Sequence, residues 1–325
     1  MAARAVLSRV GLVAGWVTAT AMLAGAALRL VGADRSTFEI AVVSALPWIL
    51  IPSLPITILA VWRRRWMLAV GAAASLVGGA VWEGPVMWPL ATAPAAARGG
   101  HLVVFDANVA QDNFDLSGIA REITADHPDV VTLEELTPKG LASLLRTGVM
   151  DRFAWHLLAA QAGAGGMGVW SDVPATGLST WSTGSAQVEM EGWLHPPGGP
   201  AVRLEAIHVY APVGYAQPAG WRDQLGQVAR HLASQPRPLL VTGDFNATAD
   251  DRPFQHILGL GLRDAAVLAG KGWEMTWPRN QAWVIPYLRI DHILLSAGLT
   301  VTGYRLGIGR GSDHHPLVVG IAPRA

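Results

Sequence analysis

Short apolar segments that run directly into polar motifs constrain the fold of this chain more than any other feature. The segments are rich in β-branched residues and have the length of strands in a sheet covered on one or both faces. Strand ends bring side chains from distant parts of a chain together on a rigid scaffold. We therefore predict one site built from strands over 102–105, 130–133, 202–209, 239–242, 290–295 and 317–321.

The polar motifs supply oxygen and imidazole groups that suit metal-dependent hydrolysis. Oxygens of Asp, Glu and Asn favour a hard cation such as Mg2+, which takes one or two protein carboxylates and keeps several waters. The chain has no cysteine and no HExxH pair, so zinc is less favoured. We predict Mg2+ as the cofactor, with Mn2+ as a substitute. The motif residues are Asn108 in VVFDANV, Glu135 in DVVTLEEL, His208 in AIHVYAP, Asp244 and Asn246 in VTGDFNA, Asp291 in RIDHILLS, and Asp313 with His314 in GSDHHP.

The series GDFN, RIDH and GSDHHP resembles the motifs of the endonuclease/exonuclease/phosphatase superfamily, over roughly residues 100–322. This superfamily includes divalent-metal phosphodiesterases, apurinic endonucleases, sphingomyelinases and inositol polyphosphate phosphatases. The resemblance implies an α/β fold of the DNase I-like type, a four-layer sandwich of two β-sheets flanked by helices. The apolar spacing separately predicts helices over 116–127, 138–146 and 221–234.

The resemblance implies three metal-binding positions. Glu135 matches the family's metal-binding glutamate, but Glu134 stands where the family often has glutamine, so the choice between the two acids stays open. Asn108 matches the first-strand asparagine that helps to hold the metal and the phosphate. Asp313 adds a contact to the metal or to the leaving group.

The resemblance also implies the hydrolytic residues. Asp244 positions or deprotonates the attacking water, and Asn246 steadies that water or a phosphate oxygen. His314 contacts the phosphate, and Asp291 orients His314. Chemistry supports these roles, because phosphoryl transfer needs positioning and charge neutralisation more than covalent help. A carboxylate also keeps an imidazole oriented and protonated, which suits it to face an anion.

His208 is expected to act as a general acid or as a phosphate ligand. The predicted substrate-binding residues are thus Asn246, His208 and His314. The carboxylate partner of His208 stays open between Glu189 and Glu191. His292, the neighbour of Asp291, is predicted to have no direct role.

Three runs without a formal charge, each of at least 17 residues, precede the motif region. A bilayer core requires about 17 to 25 apolar residues of a helix. The runs predict a membrane domain over 1–92, with transmembrane helices at about 10–31, 38–62 and 66–90. Prolines 47, 52 and 55 are expected to kink the second helix. A linker over 93–100 then leads to a catalytic domain over 101–325.

Arginines determine the predicted orientation. Arg4 and Arg9 precede the first run, and residues 63–65 are three arginines between the second and third runs. The positive-inside rule places both groups on the cytoplasmic side. The chain is then expected to be a membrane-anchored bacterial-type member of the superfamily: a multi-pass protein of the cell membrane with a cytoplasmic N-terminus and an extracytoplasmic catalytic domain.

Charge bears on the substrate. From residue 101 onward, 2 lysines and 14 arginines oppose 21 acidic residues, although the whole chain is neutral. Proteins that grip DNA through many phosphates present a basic surface, so tight DNA binding is disfavoured. The expected substrate is a phosphodiester or phosphomonoester on a lipid headgroup, a small phosphodiester or a nucleic acid. The other expected partner is the membrane lipid bilayer, and no protein partner is predicted.

Two alternatives to this hydrolase stay open. One is a surface nuclease that acts on extracellular DNA or RNA. The other is a catalytically silent module that uses the same pocket to bind a phosphorylated ligand.

Overall fold

The structure is a computed structural model that describes residues 2–88, 99–213, 217–280 and 283–324. The predicted linker over 93–100 lies almost entirely outside these residues. Two parts of the chain are described: an N-terminal helical region before residue 89 and an α/β region after residue 98.

The N-terminal apolar runs form helices of unequal length. Residues 13–31 form a helix that is long and apolar enough to cross a membrane. Residues 37–44 and 46–62 pass the same test only as a pair and are bent by 61°. Residues 66–82 form an apolar helix that is shorter than a span. The helices are α1 (Ala2–Val31), α2 (Thr37–Ser44), α3 (Leu46–Leu50), α4 (Ser53–Trp62), α5 (Trp66–Trp82) and α6 (Gly84–Met87).

The prediction of three transmembrane helices is therefore wrong: by length and composition, the described residues contain one helix that could cross a membrane, or two if the bent pair is one span. Pro47 stands in the first turn of α3, and Pro52 precedes α4. Because proline has no backbone N–H, it cannot continue a helix from the preceding turn. The expected kink is thus a set of breaks in the second run, and the third run stops as a continuous helix at Trp82.

The apolar segments of the α/β region form two mixed β-sheets of six strands each. The central strands are almost wholly buried, as expected of sheets covered on both faces. The strands are β1 (Leu102–Asn108), β2 (Val130–Glu134), β3 (Trp155–Ala159), β4 (Met167–Ser171), β5 (Ala175–Trp181), β6 (Glu189–Leu194), β7 (Val202–His208), β8 (Leu239–Asp244), β9 (Arg263–Asp264), β10 (Asp291–Leu295), β11 (Leu299–Leu306) and β12 (Leu317–Pro323).

The two sheets have the same central arrangement. Their strand orders are β11-β12-β1-β2-β4-β3 and β5-β6-β7-β8-β10-β9. The middle pair of each sheet is parallel, β1 with β2 and β7 with β8. The carboxyl ends of parallel strands share one edge of their sheet. Because Asn108 at the end of β1 contacts Asp244 at the end of β8, the last residues of all four strands lie at one end of the sandwich.

Helices cover the outer faces of both sheets and complete four layers. One apolar core lies between the sheets, a second lies under α7 and α8, and a third lies under α9 and α10. This confirms the predicted sandwich of two sheets flanked by helices. The helices are α7 (Ser117–Asp126), α8 (Pro138–Arg146), α9 (Gln217–Ser234), α10 (Arg252–Leu258) and α11 (Ala265–Leu268).

The N-terminal helices pack directly on the α/β region. Arg29, near the end of α1, donates from Nε to Asp250 Oδ1 at 2.7 Å. Ser44, at the end of α2, donates to Asp251 Oδ2 at 3.0 Å. Ile40 of α2 belongs to the core beneath α9 and α10. Helix α2 is therefore fixed against the loop that follows β8.

Candidate functional site

The predicted site residues converge at the edge where the central strands end. Asn108 and His208 are the last residues of β1 and β7, and Asp244 is the last residue of β8. Asp291 begins β10, which is antiparallel to β8 and pairs Asp291 directly with Asp244. Residues separated by nearly two hundred positions in the sequence therefore face one another at a single edge.

Close packing of two strands explains the glycine of GDFN. Gly243 has φ +135°, and a Cβ there would lie 1.9 Å from the Ile207 carbonyl oxygen. No residue with a side chain fits that space without a shift of the backbone. This close approach of β8 to β7 places Asp244 beside His208.

Asp244 is the centre of the hydrogen-bond network. Its Oδ2 accepts from Asn108 Nδ2 at 3.0 Å and from Asn246 Nδ2 at 3.2 Å, while its Oδ1 accepts from the Asn246 backbone at 2.8 Å. Burial, followed by the Asp291 carboxylate, raises the pKa of Asp244 well above its usual value. A carboxylate with a raised pKa is a better proton acceptor when it is ionised.

Glu135, rather than Glu134, faces the pocket. Glu135 Oε1 accepts from Asn108 Nδ2 at 3.1 Å, and its Oε2 accepts from the Gln111 backbone at 2.7 Å. Glu134 is completely buried between the sheets near Asp106. Burial raises the pKa of both Glu134 and Asp106, the latter to about 7. Of the two acids that the sequence leaves open, Glu135 lines the cavity and Glu134 does not.

Backbone strain is concentrated at this edge. Ala110, Glu135 and Asn246 all have positive φ values, between 47° and 63°, and all three line the pocket. Non-glycine residues in this conformation cost on the order of 1 kcal/mol or more and gather at functional sites. The strain turns Glu135 and Asn246 away from their strands and towards the cavity.

His314 is held by Asp291 as the motif comparison implies. Its Nδ1 lies 3.0 Å from both carboxylate oxygens of Asp291, which leaves Nε2 facing Asp244 at 4.0 Å. Burial alone would lower the pKa of His314, but Asp291 reverses this and raises it to about 10. His314 therefore presents a cation to the cavity at neutral pH.

Ser312 positions this histidine and was missed in the sequence. Its hydroxyl donates to the Asn108 carbonyl at 2.7 Å and accepts from the His314 backbone at 3.0 Å. It thus joins the end of β1 to the SDH motif. The serine of GSDHHP is the only sequence signal of this role.

His208 faces the Asp244 network, whereas its two candidate carboxylate partners, Glu189 and Glu191, contact other residues. Its Nε2 is 4.0 Å from both Glu135 Oε1 and Asp244 Oδ2. Glu189 instead accepts from Gln224, and Glu191 pairs with an arginine. Neither candidate is the carboxylate partner of the ring. Burial lowers the pKa of His208, which favours a neutral imidazole.

Asp313 lies beside His314 and is held by an aromatic residue. Trp277 donates from Nε1 to Asp313 Oδ2 at 3.0 Å, and Asp313 Oδ1 is 3.9 Å from His314 Nε2. Trp277 therefore packs its loop and also orients a site carboxylate. By contrast, His292 is buried against Asp264, with Nδ1 to Oδ2 at 2.7 Å, and does not line the cavity.

Five of the predicted site residues line a cavity of about 880 Å³, namely Glu135, Asp244, Asn246, Asp313 and His314. Four acidic residues line it, and among the described lining residues there is no lysine or arginine. The acids are Asp112, Glu135, Asp244 and Asp313. An acidic cavity whose lining carries only one cationic side chain, His314, favours the binding of a further cation.

Glu135 and Asn108 fit a divalent cation best. The carboxylates of Glu135 and Asp244 both accept from the Asn108 amide nitrogen, so negative charge is concentrated at this point. Asp244, Asp291 and His314 also lie close enough to share an ion. In that cluster, however, His314 Nδ1 and the Asp291 carboxylate already pair with each other at 3.0 Å.

A second acidic cluster is already neutralised. Glu191, Glu205 and His231 lie close enough to hold an ion. The guanidinium of Arg203 pairs with both glutamates, through Nε to Glu205 at 2.9 Å and through Nη2 to Glu191. A built-in cation therefore occupies the centre of this cluster.

Comparison with known proteins supports the geometric reading. The endonuclease/exonuclease/phosphatase family profile matches residues 97–314, more than half of the chain. The chain belongs to the endonuclease/exonuclease/phosphatase family. No curated protein matches it.

Solved structures show the same fold as this family member. TDP2 from D. rerio, crystallised with a single-strand DNA product, has 21% identity and a TM-score of 0.56, over 68% of this chain and 98% of its own. TDP2 from C. elegans has 17% identity and a TM-score of 0.55, over 81% and 83%. A family protein from Beutenbergia cavernae has 18% identity and a TM-score of 0.53, over 69% and 72%.

Proposed function

We propose that this protein is a divalent-metal-dependent phosphoesterase that cleaves a phosphodiester or phosphomonoester by attack of water. The observation that carries the proposal is the Asp244 network, in which a buried aspartate contacts Asn108 and Asn246 and faces two histidines. Family membership supports the same reaction class. One scaffold hosts many substrates, so the fold alone does not choose among them.

Each site residue has a role in this proposal. Glu135 and Asn108 would hold the cation, preferably Mg2+, which would supply charge neutralisation for the phosphate when bound. Asp244 accepts a proton from the attacking water, and Asn246 keeps that water in place. Protonated His314 donates a hydrogen bond from Nε2 to the phosphate, because Asp291 already holds its Nδ1.

His208 and Asp313 complete the proposed site at its two sides. His208 is neutral when its pKa is lowered, so it serves as a hydrogen-bonding ligand of the phosphate rather than as a fixed cation. Asp313, adjacent to His314 and fixed by Trp277, is placed to contact the leaving group.

We also propose that the N-terminal helical region anchors the enzyme in a membrane. Large apolar side chains are exposed along α1, α4 and α5, for example Val17, Ile58 and Val70. Exposed apolar surface of this extent is typical of contact with lipid or protein. The C-terminal end of α1 contacts Asp250 of the catalytic region. The three arginines over 63–65 lie between α4 and α5, away from that contact. The positive-inside rule then places the catalytic region outside the cell.

The test is hydrolysis by the full-length protein in detergent micelles. Substrates are 4-nitrophenyl phosphate, bis(4-nitrophenyl) phosphate, an oligonucleotide of single-strand DNA and phospholipid vesicles, each with Mg2+ and with EDTA. We expect Mg2+-dependent turnover of at least one substrate and its loss in Asp244→Asn. Asp172→Asn, which alters a half-exposed surface ion pair, is the matched control. Turnover that survives Asp244→Asn, or an absence of turnover with folded protein, would refute the proposal.

A further inference from the structure

Helix α2 of the N-terminal region forms one wall of the catalytic cavity. Thr37, Ile40, Ala41 and Ser44 line it opposite the carboxylates. A catalytic α/β region alone would lack this wall. The cavity therefore has a polar floor from the β-strand edge and a mixed wall from α2, to which Ile40 and Ala41 contribute apolar side chains and Thr37 and Ser44 contribute hydroxyl groups.

The mouth of the cavity is apolar as well. Phe114 and Val213 line it and are each more than half exposed. Trp283 and Ile285, on the loop between the lining residues Asn280 and Tyr287, are also more than half exposed. We call these four residues, Phe114, Val213, Trp283 and Ile285, the apolar rim. Burial of apolar surface against such a rim favours a substrate that carries a hydrocarbon chain over a fully hydrated one.

The apolar surface continues to the end of the long apolar helix. Helix α2 follows α1 after a short turn, residues 32–36. Leu30 and Val31, which end α1, are largely exposed, and so is Phe38 of α2. If α1 lies in a bilayer, as proposed above, the cavity wall begins where the bilayer ends.

The lining also disfavours a polyanion. Among the described residues that line the cavity, none is lysine or arginine, and four are acidic. Binding of a nucleic acid strand depends on neutralising successive phosphates with basic side chains. One phosphate can be held by the cation and His314, but further phosphates of a strand would meet carboxylates and apolar side chains.

We propose that the substrate is a phosphate ester carried on a hydrocarbon chain, with the phosphate on the polar floor and the chain between α2 and the apolar rim. This inference rests on the proposed phosphoesterase function. The occupant is a membrane lipid, because α2, which lines the cavity, follows the exposed apolar end of α1 after residues 32–36 alone.

The test compares two diesters with the same leaving group, 4-nitrophenyl hexadecyl phosphate and 4-nitrophenyl ethyl phosphate. Full-length protein in detergent micelles is assayed for nitrophenolate release with Mg2+. Partitioning into micelles favours the long-chain ester for any enzyme, so the informative quantity is the ratio of the two kcat/KM values and its change in variants. We expect the double variant Phe114→Ser/Val213→Ser to lower this ratio by at least about tenfold, because each lost apolar contact weakens only the long-chain ester. Val213→Ser alone, a milder change, should lower it by a smaller factor.

Leu145→Ser, at a partly exposed apolar residue of α8 outside the cavity lining, is the matched control and should leave the ratio unchanged. Three results separate the two claims. A ratio that is the same in the rim variants and the wild type, or Asp244-dependent turnover in which single-strand DNA is the best substrate, overturns the lipid inference and leaves the phosphoesterase intact. No Asp244-dependent turnover of any ester overturns the phosphoesterase and the inference together.

Discussion

Replacing Asp291 by asparagine isolates the charge on His314. Asp291 supplies the two largest upward contributions to the His314 pKa of about 10. In the variant, burial lowers the pKa while Asp244 and Asp313 still raise it, so we take the ordinary value of about 6.5. At about pH 8 the wild-type imidazole is almost fully protonated, whereas roughly 3% of the variant is.

The predicted loss therefore depends on pH. If the cationic His314 binds the phosphate, kcat/KM of Asp291→Asn falls about 30-fold at about pH 8 and recovers most of this loss near pH 5.5, where the ring regains its proton. The assay is a pH profile of nitrophenyl ester hydrolysis for both proteins, with Asp172→Asn as control. A deficit of equal size at every pH would refute the electrostatic role and leave Asp291 with a purely structural one.

Three further predictions concern stability, each measured by thermal unfolding of the full-length protein in detergent. Arg29→Met removes the guanidinium that pairs with buried Asp250 and should lower the free energy of unfolding by about 3 kcal/mol. This loss becomes smaller as pH falls, because Asp250 then takes up a proton. An unchanged Tm would contradict the prediction. Burial would raise the pKa of Asp264, but the Arg289 guanidinium and the hydrogen bond with His292 lower it to about 2. Its contribution is therefore present above about pH 4 and lost as pH falls through about 2, so Asp264→Asn should cost roughly 2 to 3 kcal/mol at neutral pH and almost nothing at about pH 2. Gly243→Ala forces a Cβ against the Ile207 carbonyl and should lower the free energy of unfolding by at least about 2 kcal/mol. A variant as stable and active as the wild type would contradict this prediction and show that β7 and β8 can separate.

The sequence predicts the part of the fold in which local pattern and packing agree. The central strands are buried on both faces, so their continuous apolar runs are visible, and helix 138–146 is reproduced to the residue. The sequence does not predict β3 to β6, β9 and β11. Residues of β3, β5 and β11 are partly exposed, a glycine interrupts each of β4, β5, β6 and β11, and β9 has two residues, so none of them gives such a run.

The site was predicted to the extent that it follows from motifs. Four motif residues meet as expected, because each lies at or near the end of a strand: Asp244, Asn246, Asp291 and His314. Contacts made across the fold were not visible. Ser312 acts through the backbone of Asn108, and α2 reaches the cavity only because the N-terminal helices fold back on the α/β region.

The breaks in the N-terminal region show a different limit. Hydropathy counts apolar residues without regard to where a helix stops, and so it merged α2, α3 and α4 into one span. The prolines predict a kink, and the 61° bend between residues 37–44 and 46–62 lies directly before Pro47.

The most direct test of the central claim is the Mg2+ dependence of ester hydrolysis in metal-depleted full-length protein and in Glu135→Gln. The account predicts no turnover without metal, a saturable rise with Mg2+ in the wild type, and a requirement for at least about tenfold more Mg2+ in the variant, because one of two converging carboxylates is lost. Turnover in the metal-depleted wild type, or identical Mg2+ curves for the two proteins, would contradict it.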